Sequence, residues 1–368
     1  MGATDALGRL RGAVPAKRHN ARTIAALTAN PGCTRRAVLD AAGVDKTRLA
    51  EHVGFPARFG QSRFALARGN GFEALLKADG ATRLFDLLRD TLGVEAPDGT
   101  YADLGADDDD TLSARHARTR AVVAAQAGAA LVDHPLLTLD VAGQRVFLEP
   151  DLIAFQVEGR LHVVEIKSFA IVDDQADSAK VSAAAVQAAV YVLALRNLLT
   201  ELGHDPALVS HDVVLVCPQN FALRPTAVVL DVRKQLGTLT RQLTRLAAVG
   251  DIVAGLPVDL TFDLGLQGGQ PTRAPAELLA ALDQVEARYA PDCLAACELA
   301  YFCRHEATGA TAVLGRTVRE ALGGVDTVDE VLALAAARRA PTAEQAEAAE
   351  LLQAAARLRA EALAGHRD

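Results

Sequence analysis

The segment from residue 130 to residue 232 constrains the fold more than any other part of the chain. Three runs, 130–141, 145–157 and 160–169, are rich in β-branched and apolar residues and are joined by short glycine-containing turns at Ala142-Gly143 and Glu158-Gly159, the pattern of consecutive paired strands. A helical spacing follows over about 179–202, then two more strand-like runs at 212–217 and 227–232 and a helix over 233–248. Helix, three strands, helix and strand in that order describe an α/β fold, a mixed central sheet flanked by helices.

The flanks read as helical. Residues 20–90 carry helical periodicity broken by loop signals at Asn30-Pro31-Gly32 and Gly54-Phe55-Pro56, and a further helix is expected over 114–127. The acidic run Asp107 to Asp110 reads as an exposed turn or a helix start. The expected division is a helical segment over 1–110, a core over 111–260, a cysteine-bearing segment over 261–316 and an Ala- and Glu-rich helical tail over 317–368. With 368 residues, half of them hydrophobic, the chain can bury a sizeable core. No run reaches the roughly 18 apolar residues of a membrane span and no signal-peptide pattern opens the chain, so the expectation is a cytoplasmic protein without a membrane partner. The net charge of −8 hides an asymmetry: residues 1–72 hold 12 Lys and Arg against 4 Asp and Glu, a net +8 that leaves −16 for the rest. The basic residues of that first fifth, Arg9, Arg11, Lys17, Arg18, Arg35, Arg36, Arg58, Arg63 and Arg68, suit either phosphate contacts or an ordinary solvated face.

Chemistry concentrates at Glu149-Pro150-Asp151 and Glu165-Ile166-Lys167. Asp151 is expected inside one strand and Glu165 and Lys167 on the next, where side chains two residues apart share a face. Two carboxylates and an ammonium then converge at one edge of the sheet. Such a set suits phosphodiester hydrolysis. Asp151 and Glu165 would hold Mg²⁺ or Mn²⁺, with the Ile166 carbonyl completing the shell, and Lys167 would orient the attacking water and offset charge in the transition state. On the following helix Gln187 and Tyr191 stand at i and i+4 on one face and can reach the same site. His162 is read as a strand residue facing away from it.

Pro150-Asp151 with Glu165-Ile166-Lys167 resembles the signature of the PD-(D/E)xK nuclease superfamily, and Gln187-Ala188-Ala189-Val190-Tyr191 is similar to the Gln-x-x-x-Tyr motif of its RecB-type branch. The resemblance implies a restriction-endonuclease-like core. That branch also has an earlier helical motif that supplies a His or Glu to the metal. Arg68-Gly69-Asn70-Gly71-Phe72-Glu73 stands in its place without a histidine, which makes Glu73 the candidate ligand and Asn70 a weaker one.

Five cysteines, three of them within eleven positions at Cys293, Cys297 and Cys303, suit a metal or cluster site in a reducing compartment better than a disulfide framework. Cys33 and Cys217 lie apart. The triplet within Pro291-Asp292-Cys293 to Cys303-Arg304 is similar to the C-terminal cysteines of iron–sulfur nucleases, a group that includes the AddB nuclease domain and CRISPR-associated iron–sulfur exonucleases. Their fourth ligand precedes the nuclease core, and Asn30-Pro31-Gly32-Cys33-Thr34-Arg35-Arg36 has that position. The resemblance therefore implies a structural 4Fe-4S cluster on Cys33, Cys293, Cys297 and Cys303, which joins the N- and C-terminal segments. Four thiolates also suit zinc, with His305 able to replace Cys33.

The implied activity is a metal-dependent deoxyribonuclease, an exonuclease on single-stranded DNA ends, in DNA repair, recombination or defence against foreign DNA, with a helicase or recombination partner to separate strands. No phosphate-binding loop or dinucleotide fingerprint is present. The competing readings are an inactive nuclease-fold module that binds DNA or partners, and a zinc-stapled nuclease. In the tail, Leu322-Gly323-Gly324-Val325 and the residues after it resemble a helix-hairpin-helix element, a pattern that also fits a plain connection between helices.

Overall fold

The architecture comes from a computed structural model, which describes residues 3–57, 63–93, 100–105, 110–125, 130–157, 159–173, 175–220 and 222–364. Arg58 and most of the acidic 107–110 run lie outside the described residues. The chain divides into two compact units. One comprises Met1–Ala16, Ala29–Phe59 and Ile252–Asp368, and the other Lys17–Thr28 and Gly60–Asp251.

The second unit is built on eight strands: β1 (Thr100–Asp103), β2 (Ala130–Asp133), β3 (Leu137–Val141), β4 (Gln144–Leu148), β5 (Leu152–Val157), β6 (Arg160–Ile166), β7 (Asp212–Pro218) and β8 (Pro225–Asp231). Six of them form one mixed sheet in the order β1-β2-β5-β6-β7-β8, while β3 and β4 pair as a separate hairpin. Parallel pairing occurs at β1 with β2 and at β6 with β7. The mixed α/β expectation holds, and β1 lies within the 1–110 segment for which helix is expected.

Two of the expected strands are each divided in two. The run 130–141 breaks at His134-Pro135, and the run 145–157 breaks at Pro150-Asp151. Proline has no N–H to give a ladder, so a pairing strand ends beside it. Asp151 consequently sits in a bend one residue ahead of β5 rather than inside a strand. The β3–β4 turn forms where expected. Ala142 and Gly143 both have positive φ, 51° and 76°, as a tight two-residue hairpin turn of this twist requires.

One face of the sheet packs under the helix Arg63–Leu92, whose Phe72, Leu76, Leu84 and Leu88 meet Leu131, Leu152, Val164 and Val214. Each fully buried side chain of this size contributes about 1.5–3 kcal/mol. That helix is kinked, with φ of 53°, 67° and 61° at Asp79, Gly80 and Ala81. It is two helices end to end, and Glu73 and Lys77 occupy the last turns of the first. On the other face Ala184 of the helix Ser178–Glu201 packs with Ile171, Leu215 and Cys217. The Asp177 side chain caps this helix by accepting from the Ala179 and Lys180 amides. By length and composition it is apolar enough to cross a membrane, and here it packs against β3, β6 and β7.

In the first unit the N-terminal and C-terminal parts of the chain are hydrogen-bonded together. The Phe262 amide donates to the Leu10 carbonyl at 2.7 Å, and the Arg35 amide to the Glu286 carbonyl at 2.9 Å. The tail contains the helices Arg316–Ala321 and Val328–Ala335, linked through Gly323 and Gly324 at φ 75° and 71°, with Val325, Val331, Leu334 and Ala349 forming their small core.

Candidate functional site

The pairing of β2, β5 and β6 assembles the acidic residues. Leu152 stands opposite Val164, so Asp151, one residue earlier, is level with Glu165, one residue later. On the other side Asp133 pairs with Leu152, and the His134 amide donates to the Asp151 carbonyl at 3.3 Å. The carboxylate of Asp151 accepts the Ile166 amide at 2.7 Å, and the Lys167 amide continues the parallel ladder to the Val216 carbonyl at 2.9 Å. Three strand ends therefore meet in one row, and Asp151, Glu165, Ile166 and Lys167 gather as the sequence suggested. The Arg63–Leu92 helix closes over this end of β6: a Cβ on Gly69 would stand 3.5 Å from that of Ser168.

Electrostatics make the row costly without a cation. Glu165 is 1% exposed, its Lys167 ion pair supports one carboxylate oxygen, and Oε2 is buried with no hydrogen-bond partner among the described residues. Burial and the neighbouring Asp151 push Glu165 up to about 8, against the opposing pull of Lys167. Burial likewise raises Asp151, whose field includes Lys167, Glu73 and Lys77. Lys167 stays charged: burial lowers its pKa, and the two carboxylates outweigh that. Without an ion the row relieves its charge by keeping a proton on Glu165, and a positive ion can take the place of that proton.

Gln187 and Tyr191 reach the same place. The Gln187 amide donates to the Tyr191 hydroxyl at 3.1 Å, and burial followed by the fields of Glu165 and Asp151 raises the Tyr191 pKa. His162, by contrast, contacts the Asp212 carbonyl at 3.0 Å through Nδ1, and its place opposite Ala154 sets it on the face away from Glu165.

Several charged residues beside the row went unnoticed in the sequence. Lys77 ion-pairs with Glu73 and with Asp133, the latter at 2.6 Å, and lies 3.0 Å from His134 Nε2. Tyr101 donates its hydroxyl to the other Asp133 oxygen. His134 Nδ1 meets Glu149 at 3.1 Å, and that contact raises the His134 pKa while lowering Glu149 to about 2 with help from Arg115. The helical motif lacks a histidine, and His134 enters instead from the end of β2. Pro150-Asp151 follows the same strand-then-proline pattern as His134-Pro135, the one sequence signal that could have pointed to it. Among the described residues, Asp103, Asp133 and His134 place three ligand atoms within 4.8 Å of one another, and so do His211, Asp212 and Asp231.

No protein-family model matches the chain, and no curated protein matches it.

Four of the cysteines, Cys33, Cys293, Cys297 and Cys303, belong to the other unit. All five are free thiols. Asn30, in the turn that ends at Cys33, donates to Cys293 Sγ at 3.1 Å, and Arg35 Nη1 approaches Cys303 Sγ at 3.5 Å. The Cys297 amide donates to the Cys293 carbonyl at 2.8 Å. Burial pushes the Cys303 thiol up to about 12 against the pull of Arg35, and it raises Cys297 against Lys46 and Arg36. Arg35 and Arg36 are therefore not free for phosphate. They are 3% and 5% exposed and pair with Glu306 and Asp40, while Lys46 pairs with Asp40 and with Glu298 at 3.0 Å. His305 packs its ring 5.1 Å from that of Phe55. Cys217 stands apart from this group, buried on β7.

Proposed function

We propose that this chain is a divalent-metal-dependent deoxyribonuclease of the RecB-type PD-(D/E)xK kind, with a structural 4Fe-4S cluster in its other unit. The observation that carries the first part is the buried Glu165 carboxylate, paired with the Lys167 ammonium and level with the half-buried Asp151. The donor set fits Mg²⁺ or Mn²⁺: carboxylate oxygens, one of them buried without a partner. A bound ion of this kind supplies positive charge to a phosphodiester and acidifies a water beside it.

Within that chemistry Asp151 and Glu165 hold the ion, and the Ile166 amide keeps Asp151 aimed at it. Lys167 orients the attacking water and offsets charge on the phosphate oxygens. The Gln187–Tyr191 pair presents a hydroxyl and an amide to the DNA backbone beside the row. Single-stranded ends are the favoured substrate by resemblance, and repair, recombination or defence the setting.

For the cluster, the support is the donors that reach two sulfurs, Asn30 to Cys293 and Arg35 to Cys303, and the Lys46 and Arg36 cations whose fields pull Cys297 toward the thiolate against its burial. Iron and sulfide analysis of anaerobically purified protein separates a cluster from zinc. The nuclease reading is tested by digestion of end-labelled single-stranded DNA with and without Mn²⁺, using Lys167→Ala as control. Metal-dependent cutting by the native protein and its loss in the variant support the reading; equal cutting by both sinks the assigned site, and no cutting by either favours a DNA-binding module.

A further inference from the structure

The helix Arg233–Ala247 carries a row of cations that its own stability does not ask for. From Arg233 to Gly250 the chain has four basic residues and no Asp or Glu, in a protein of net charge −8. Leu236, Leu239 and Leu246 bury the inner face. At about 3.6 residues per turn, Lys234, Thr238, Arg241 and Arg245 fall within about 60° of one another on the outer side, and Lys234, Arg241 and Arg245 are exposed. Arg241 donates to Thr238 Oγ1 at 3.1 Å, along the same face, while Arg233 is held by Asp231.

Two of these positions work against the helix. A cation in the first turn opposes the positive end of the helix dipole, yet Lys234 stands there with no acidic residue in that turn and no side-chain cap at Val232. A glycine weakens a helix interior, yet a Cβ added at Gly237 would meet, among the described residues, only Arg241 Nη1 at an ordinary 3.6 Å. Packing within the chain explains neither. Both features suit an anion that comes close to the helix backbone, since the glycine leaves it room and the lysine meets it.

The helix also has a place relative to the row. Glu165 pairs with Leu215 and Leu215 with Val228, so Asp231, where the helix begins, is three ladder positions, roughly 10 Å, from the level of Glu165. From there it packs along Ser178–Glu201, the helix of Gln187 and Tyr191. The chemistry of the face selects its occupant. Among residues 233–247 no aromatic or large apolar side chain is exposed, which leaves no anchor for a protein partner and no apolar side to enter a bilayer. A strand of phosphates needs only spaced cations. We propose that Lys234, Arg241 and Arg245 grip the phosphate backbone of single-stranded DNA outside the Asp151–Glu165 row, a sequence-independent hold on the strand that the row cuts. The choice of DNA rests on the nuclease reading of that row, and the test separates the two.

The test is fluorescence anisotropy of end-labelled single-stranded DNA with the full chain, over a range of salt and without added divalent cation, so that nothing is cut. The native protein is compared with a helix variant, Lys234→Gln with Arg241→Gln and Arg245→Gln. A tail variant, Arg338→Gln with Arg357→Gln and Arg359→Gln, removes the same charge from exposed positions in the other unit. Each lost phosphate contact is expected to make the slope of log affinity against log salt shallower by about 0.7, about 2 in all, with affinity about 10-fold or more lower at low salt. The tail variant is expected to match the native protein. A folded helix variant with native affinity and slope, an equal fall in the tail variant, or native protein that does not bind DNA overturns the proposal. So does a helix variant that loses binding to phosphatidylserine vesicles while its DNA binding is unchanged. If the helix variant misfolds, the three single Gln variants are each expected to lose about 0.7 of slope, and folded singles with native slopes overturn the proposal. In Mn²⁺, native protein that binds through this face without cutting sinks the nuclease reading and leaves the face standing. Native cutting, with binding and cutting unchanged in the helix variant, does the reverse.

Discussion

The Asp151 carboxylate and the Ile166 amide are joined by a 2.7 Å hydrogen bond across β5 and β6. This bond ties the acid in the bend after Pro150 to the end of β6, the strand that carries Glu165 and leads into Lys167. Asp151→Ala is expected to free the end of β6 as well as remove a ligand.

The pH response of the metal-free protein follows from Glu165. Its folded pKa is raised from the ordinary 4.5 to about 8, so between those values the folded chain holds a proton that the unfolded chain has lost. Stability contributed by this group is present below about pH 4.5 and declines as pH rises toward 8. Thermal melts in EDTA at pH 5 and pH 8 are expected to show the lower midpoint at pH 8, and Mn²⁺ is expected to narrow the gap. An unchanged gap with Mn²⁺ would mean that the ion does not replace that proton.

Tyr191→Phe removes the hydroxyl that accepts from Gln187. The loss of one partly buried hydrogen bond costs about 1 kcal/mol. DNA cleavage is expected to fall while Mn²⁺ affinity stays the same. Denaturant melts and a Mn²⁺ titration check both parts, and a fall in Mn²⁺ affinity would make the tyrosine part of the ion site.

Arg35→Met breaks the ion pair between buried Arg35 and exposed Glu306 and removes the donor to Cys303. The pair itself is worth about 1 kcal/mol or less, and Glu306→Gln alone is expected to cost no more than that. Iron content per chain is the readout that a purely structural pair would leave untouched. It is expected to drop in Arg35→Met.

Phe72→Ala is expected to cost about 3–5 kcal/mol, since the ring is fully buried under the sheet. Because Phe72 precedes Glu73, the cavity also loosens the turn that holds Glu73 against Lys77. A chemical melt and the Mn²⁺ stoichiometry together show whether the loss is confined to stability.

Much of the second unit was legible in the sequence because its signals are local. The Ala142-Gly143 turn, the long helix after Asp177 and the apolar run of β6 all come from neighbours within a few residues. Glu165 and Lys167 were readable for the same reason, two residues apart on one strand. The breaks at Pro135 and Pro150 are local too, since proline ends a ladder. Asp133, His134 and Lys77 were not legible, since what brings them to Asp151 is the pairing of β2 with β5 and the packing of a helix some 75 residues earlier in sequence. Arg35 and Arg36 misled for a related reason: a basic pair beside a cysteine looks solvated until Glu306 and Ala296, about 260–270 positions on, close over it.

The most direct measurement is the rate at which end-labelled single-stranded DNA is cut in Mn²⁺ by the native protein, by Asp151→Asn and by Glu165→Gln, with folding and DNA binding measured on the same samples. The expected result is cutting by the native protein that stops in EDTA and falls about 100-fold or more in either variant, with DNA binding retained. Folded variants that cut at the native rate, or native cutting that persists in EDTA, would contradict the assignment of Asp151 and Glu165 as the metal-holding pair.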